Sequence, residues 1–134
     1  MKKSAEVRSI TKQEYVTLAS FRYRLRQFLK FSENAAKDAG LSAKQHQALL
    51  SVKGHPDNVA ITIGELAERL QIAHHSAVGL VNRLADRKLL IRRSGIEDAR
   101  QVHLSVSNFG ERILEKLAAS HKEELRRLGL QFKA

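Results

Sequence analysis

Two adjacent histidines, His74 and His75, open the segment 72–84, IAHHSAVGLVNRL. Imidazoles can bind a metal, move a proton or donate a hydrogen bond to a partner. Neighbours on a helix point about 100° apart, so this pair cannot readily share one ion. No His-x-x-x-His spacing accompanies it and the chain has no cysteine, which argues against a metal site. As catalysts the two histidines lack a nucleophile and an orienting carboxylate, so no enzyme is expected. A third chemistry fits better. At the first turn of a helix, backbone N–H groups and the helix dipole attract phosphate. An imidazole there donates to phosphate or to guanine whether neutral or protonated. The other histidines, His46, His55, His103 and His121, are scattered, and no cofactor is expected. His121 falls on an apolar stripe, which suggests a buried histidine at an interface between copies.

Charge supports a polyanionic partner. Lys and Arg number 24 against 14 Asp and Glu, a formal +10 on 134 residues. A domain this basic points to nucleic acid first and an anionic membrane surface second. With aromatics at 5% and no tryptophan, aliphatic side chains must supply most of the core. The lack of cysteine excludes disulfides, thiolate-bound zinc and a thiol redox switch. The start, MKKSAEVRSITKQEY, has no apolar run after its lysines, and no apolar stretch is long enough to span a bilayer. A cytoplasmic protein with no membrane contact is expected.

The elements that must position the histidines are readable in order. Leu18, Phe21, Leu25, Phe28 and Leu29 form the stripe of a long helix over 11–39, which Gly40 ends. A helix so long and one-faced needs cover, and a second copy of the chain is a candidate. Ser42 and Gln45 form a capping box before Leu49, Leu50 and Val52. His55, Pro56, Asp57 and Asn58 have turn chemistry, and 59–61 is at most a small strand. Thr62 and Glu65 cap a second short helix carrying Leu66, Ala67 and Leu70. After a turn at 71–73 comes the helix of the histidines, to about Lys88. The period then becomes alternating: 90–94 is a strand, 95–99 a loop, and Val102, Leu104 and Val106 mark a half-buried strand. A last helix runs from 108 to about 132, with Phe109, Ile113, Leu117, His121 and Leu128 on one face.

Two short helices joined by a tight turn and followed at once by a basic hairpin make a winged helix-turn-helix. The second helix can enter a DNA major groove, and the hairpin can straddle the backbone. Leu66, Leu70, Ile72, Val78, Val81 and Leu84 pack the two helices together. His74, His75, Ser76, Gly79, Asn82 and Arg83 are then the recognition-helix candidates. Arg92, Arg93 and Ser94 are candidates on the wing, and Ser42, Lys44, Thr62 and Arg87 are candidate phosphate contacts.

The segments TIGELAERLQIAHHSAVGLVNRLADRKLL and DARQVHLSVSNFGERIL resemble the MarR-type transcriptional regulators. The order of elements is similar from Thr11 to Leu128, and the motifs are specific between Ile63 and Gly110. Asp98-Ala99-Arg100 matches the family's Asp-x-Arg wing motif, and Ser107 stands for its usual Thr at the last helix start. The resemblance implies one domain over 1–134, mainly α with a small β-hairpin. In it, 40–107 is the winged helix-turn-helix, and 11–39 and 108–134 are long dimerisation helices. It implies a homodimer on a pseudo-palindromic operator, most often a repressor, released by an aromatic or phenolic small-molecule effector whose contact residues stay unassigned. Carried over, Arg100 enters the minor groove and Asp98 orients it. Three positions depart from the pattern. Ala73 replaces a Ser or Thr N-cap, at a cost on the order of 1 kcal/mol. Lys88 replaces a glycine in the turn before Leu89. Gly79 and Leu80 stand where hydroxyl and polar residues are usual, and Leu80 is either a groove contact to a thymine methyl or a core residue. The alternative reading is a winged-helix protein–protein interaction module without specific DNA binding.

Overall fold

Three helices start with the same device. Thr11, Ser42 and Thr62 each accept the backbone N–H three residues on, while the side chains of Glu14, Gln45 and Glu65 accept the N–H of the capping residue. These boxes open α1 (Lys12–Asp38), α2 (Ala43–Lys53) and α3 (Ile63–Leu70). Helix α4 (His74–Asp86) begins at Ala73 with no side-chain cap. Strands β1 (Leu90–Ser94) and β2 (Val102–Val106) form an antiparallel ribbon, paired from Leu90 with Val106 to Ser94 with Val102. At the start of α5 (Asn108–Arg127), the Ser107 hydroxyl accepts the Gly110 N–H and donates to the Lys88 carbonyl. The computed structural model describes residues 8–95, 100–131 and 133.

Four helices also end alike. The N–H of Leu41, Ile72, Leu89 and Leu130 reaches back to the carbonyl of Ala36, Ala67, Leu84 and Leu125, at 2.8, 3.0, 2.9 and 2.9 Å. Each closure needs one left-handed residue. Gly40 and Gly129 supply it with φ of 83° and 74°, but Gln71 and Lys88 adopt it with φ of 58° and 63°. Lys88 therefore takes the conformation of the glycine it replaces, at about 1–2 kcal/mol for a residue with a Cβ. Gly129 also stops α5 at Arg127, short of the expected 132, and α4 ends two residues before Lys88.

The core lies where α2, α3, α4 and the ribbon meet, around Leu49, Ile61, Leu66, Val81, Leu84, Leu89 and Leu104. Ala36 of α1 and Leu114 and Leu117 of α5 close it. Leu80 is buried, which decides its reading in favour of the core. Residues 59–61 do not form a strand: an isolated bridge joins Thr62 to His103, and the Leu104 N–H donates to the Ile61 carbonyl. Two residues depart from their expected helix faces, while Leu49, Val52, Leu117 and Leu128 are buried as expected. Leu50 and Phe109 are 43% and 48% exposed, whereas Ala48, Gly110 and Leu114 are buried. Gly110 sits so close to the chain that a Cβ would lie 2.5 Å from the Leu89 carbonyl oxygen. No larger residue can take that inward position.

The N-terminal part of α1 is left uncovered by its own chain. Leu18 is 59% exposed, and Phe21 and Leu29 are exposed with it. Only the later turns, with Ser32 and Ala36, are buried. Among the described residues, no helix is long and apolar enough to cross a membrane.

Candidate nucleic-acid interface

The inward face of α4 determines what it shows outward. Ala77, Leu80, Val81 and Leu84 are buried, which leaves His74, His75, Ser76, Asn82 and Arg83 exposed and Gly79 half-buried. At the uncapped start, Ala73 offers no side-chain acceptor to the first N–H groups. An exposed helix N-terminus of this kind favours an anion.

Helix α2 brings a second N-terminus beside it. A cleft of about 400 Å³ between the two is lined by Ser42, Lys44, His75, Ser76, Gly79 and Arg83, together with Gln45, Ile72 and Leu80. Six predicted contact residues from two segments thus converge on one surface. Ser42 uses a lone pair to accept the Gln45 N–H at 3.1 Å, so its hydroxyl proton remains a donor. The Arg83 guanidinium lies along the helix against Gly79, where an added Cβ would meet it at 3.6 Å. The chemistry gathered here is one ammonium, one guanidinium, one imidazole and two hydroxyls, a set suited to phosphate oxygens.

The wing is tied to α4 by a bond the sequence does not announce. Arg92 shares its ribbon face with Leu104, and its Nη1 donates to Oδ1 of Asn82. This holds the Asn82 amide and turns its nitrogen into the remaining donor group. Arg93 and Ser94 are exposed along β1. The Gly95 N–H donates to the Gln101 carbonyl at 2.8 Å, and Arg100 is exposed beside this closure. Asp98 lies outside the described residues. Thr62 and Arg87 do not line the cleft. The Thr62 hydroxyl caps α3, and Arg87 donates through Nη1 to the Gly40 carbonyl at 2.8 Å and to Oε1 of Gln45 at 3.2 Å. Arg87 therefore joins the end of α4 to the turn between α1 and α2.

Two scattered histidines meet away from this surface. His46 is 2% exposed and its ring centroid is 4.9 Å from that of His121. His121 donates through Nδ1 to the Leu117 carbonyl at 2.6 Å, and its Nε2 shares a 2.8 Å hydrogen bond with the Ser32 hydroxyl. Phe28 and Phe31 stand edge-on to it. His121 is thus packed among α1, α2 and α5 of its own chain. Burial first, and then the charge of His121, hold His46 below the usual histidine range.

A sequence model of the MarR family matches residues 39–101, the segment that holds the cleft, α4 and the start of the wing. No curated protein matches the sequence. Solved structures share the fold. YusO from Bacillus subtilis is 21% identical with a TM-score of 0.66, over 90% of this chain and 83% of its own. The MarR family transcriptional regulator AbsC from Streptomyces coelicolor is 17% identical with a TM-score of 0.70, over 91% and 82%. MepR of Staphylococcus aureus, in a complex with DNA, is 18% identical with a TM-score of 0.69, over 93% and 87%. With five helices and a two-stranded wing among its described residues, the chain has a winged helix-turn-helix fold, and its segment 39–101 matches the MarR family.

Proposed function

We propose that this protein is a DNA-binding transcriptional regulator that grips duplex DNA as a homodimer. One observation carries the reading: Ser42, Lys44, His75, Ser76 and Arg83 converge beside the uncapped N-terminus of α4, in a chain of formal charge +10. Lysine and arginine dock on phosphates and release condensed counterions. The start of α4, with His74, His75 and Asn82, then reads base edges in the major groove. Arg100 enters the minor groove, oriented by Asp98, while Arg93 and Ser94 follow the backbone. The exposed apolar stripe of α1 supports pairing with a second copy, which sets two α4 helices on the half-sites of a pseudo-palindromic operator. That MepR has been solved on DNA with the same fold supports this docking.

The protein acts as a cytoplasmic repressor released by a small aromatic or phenolic effector. An apolar cleft of about 530 Å³ between α1 and α5, walled by Phe31, Ala35, Ile113 and Leu117 with Lys116 at its edge, suits such a ligand. The test is binding to mixed genomic DNA across a salt series, followed by selection of bound sites from a random pool. Affinity that falls steeply with salt and a selected site with two-fold symmetry are expected. A folded protein with no affinity at low salt, or with affinity indifferent to salt, sinks the regulator reading and leaves the protein-interaction module.

A further inference from the structure

The connection between α2 and α3 carries a cluster that DNA docking does not use. His55 follows the end of α2, Asp57 belongs to the same turn, and Glu65 sits in the first turn of α3. The His55 side chain is only 9% exposed, and its Nε2 lies 3.5 Å from Oδ2 of Asp57 and 3.8 Å from Oε1 of Glu65. An ordinary N–H···O bond spans roughly 2.7–3.2 Å. The imidazole is therefore aimed at two carboxylates without closing a good bond to either. Its Nδ1 is buried and has no hydrogen-bond partner among the described residues.

Those separations match a different use. Ligand atoms ~2.0–2.2 Å from a tetrahedral ion stand ~3.3–3.6 Å from one another. The three donor atoms here all lie within 4.8 Å of one another, so a small contraction brings them onto one centre. We propose that His55, Asp57 and Glu65 bind one divalent first-row metal ion of the zinc type, with water completing its shell. One imidazole and two carboxylates form a borderline nitrogen–oxygen donor set, which suits zinc better than magnesium. The two carboxylates balance the charge of the ion. Glu65 Oε1 already accepts the Thr62 N–H at 2.9 Å, which orients the carboxylate and leaves the second lone pair of that oxygen for the metal. The ion then fastens the turn after α2 to the first turn of α3, the helix that backs α4.

The spacing is His-x-Asp-x7-Glu, and the site is independent of the paired histidines of α4 and of the DNA reading. The test uses the full chain stripped with a chelator and titrated with zinc chloride against a chromophoric competitor. One zinc per chain is expected, with a rise in melting temperature. Asp57→Asn and Glu65→Gln should each weaken binding at least ~10-fold and abolish that rise. Glutamine keeps the capping box, so E65Q retains the fold. Asp57 is exposed in a turn, so D57N tests the site even if E65Q is unstable. Absence of stoichiometric zinc binding, or wild-type zinc affinity in both folded variants, overturns the proposal.

Discussion

Asn82 and Lys44 are both exposed and are expected to fail differently. Asn82 is held by Arg92 and offers a base-reading amide, whereas Lys44 is a charge at the α2 N-terminus. Asn82→Ala should cost ~1–3 kcal/mol on the selected operator and relax preference at one base position. Lys44→Ala should weaken all sequences alike and lower the salt slope by about one. Fluorescence anisotropy on matched and random duplexes at several salt concentrations separates the two outcomes. A residue-scale effect of another kind resides in His46. Its pKa is lowered by burial and by His121, so in the folded chain it stays neutral while the unfolded chain takes up a proton. The unfolded state then binds more protons below the ordinary value of 6.5. Stability is full above that value and declines as pH falls through it toward the folded pKa. Urea midpoints measured down a pH series should show this decline, and His46→Leu should flatten it.

Among the elements, α4 is the least well terminated. It begins at Ala73 without a side-chain cap and closes on Lys88 in the left-handed region. Ala73→Ser should add about 1 kcal/mol by capping an N–H of the first turn. Lys88→Gly should add about 1 kcal/mol by removing the Cβ penalty of the left-handed conformation. Chemical denaturation of each variant checks both values, and the double variant should be nearly additive because the sites lie at opposite ends of one helix. A73S also fills, with a hydroxyl, the terminus proposed to meet phosphate. Its DNA affinity therefore reports whether those free N–H groups matter. A variant that is more stable yet binds DNA less tightly is the expected result.

On the scale of the molecule, the uncovered half of α1 is the main unfinished surface. Leu18 and Phe21 are exposed in a protein whose core is otherwise closed by α1 and α5. Leu18→Glu with Phe21→Glu should convert the protein to a monomer, read by sedimentation. It should also lower operator affinity far more than random-DNA affinity, because two linked recognition helices act at high effective concentration. The winged region should stay folded, since its core of Leu49, Leu66, Val81 and Leu104 does not include these residues.

The sequence by itself determined the order of elements, the winged helix-turn-helix and the outward set on α4. Those signals are local: a capping box acts within four residues, and the alternation of Val102, Leu104 and Val106 marks one face of a strand. The tertiary structure alone decided which of two adjacent residues turned inward. Leu49 lies in the core while Leu50 is exposed, and on α5 Gly110 is buried against the Leu89 carbonyl while Phe109 is exposed. It also gave Arg92 to Asn82, drew Arg87 to the Gly40 carbonyl, and brought His46 to His121. It set His55 between two carboxylates that the sequence shows only as part of a turn and part of a cap. Periodicity and capping report what a residue does to its own segment. Partners from distant segments are chosen by packing, and packing exists only once the chain is folded.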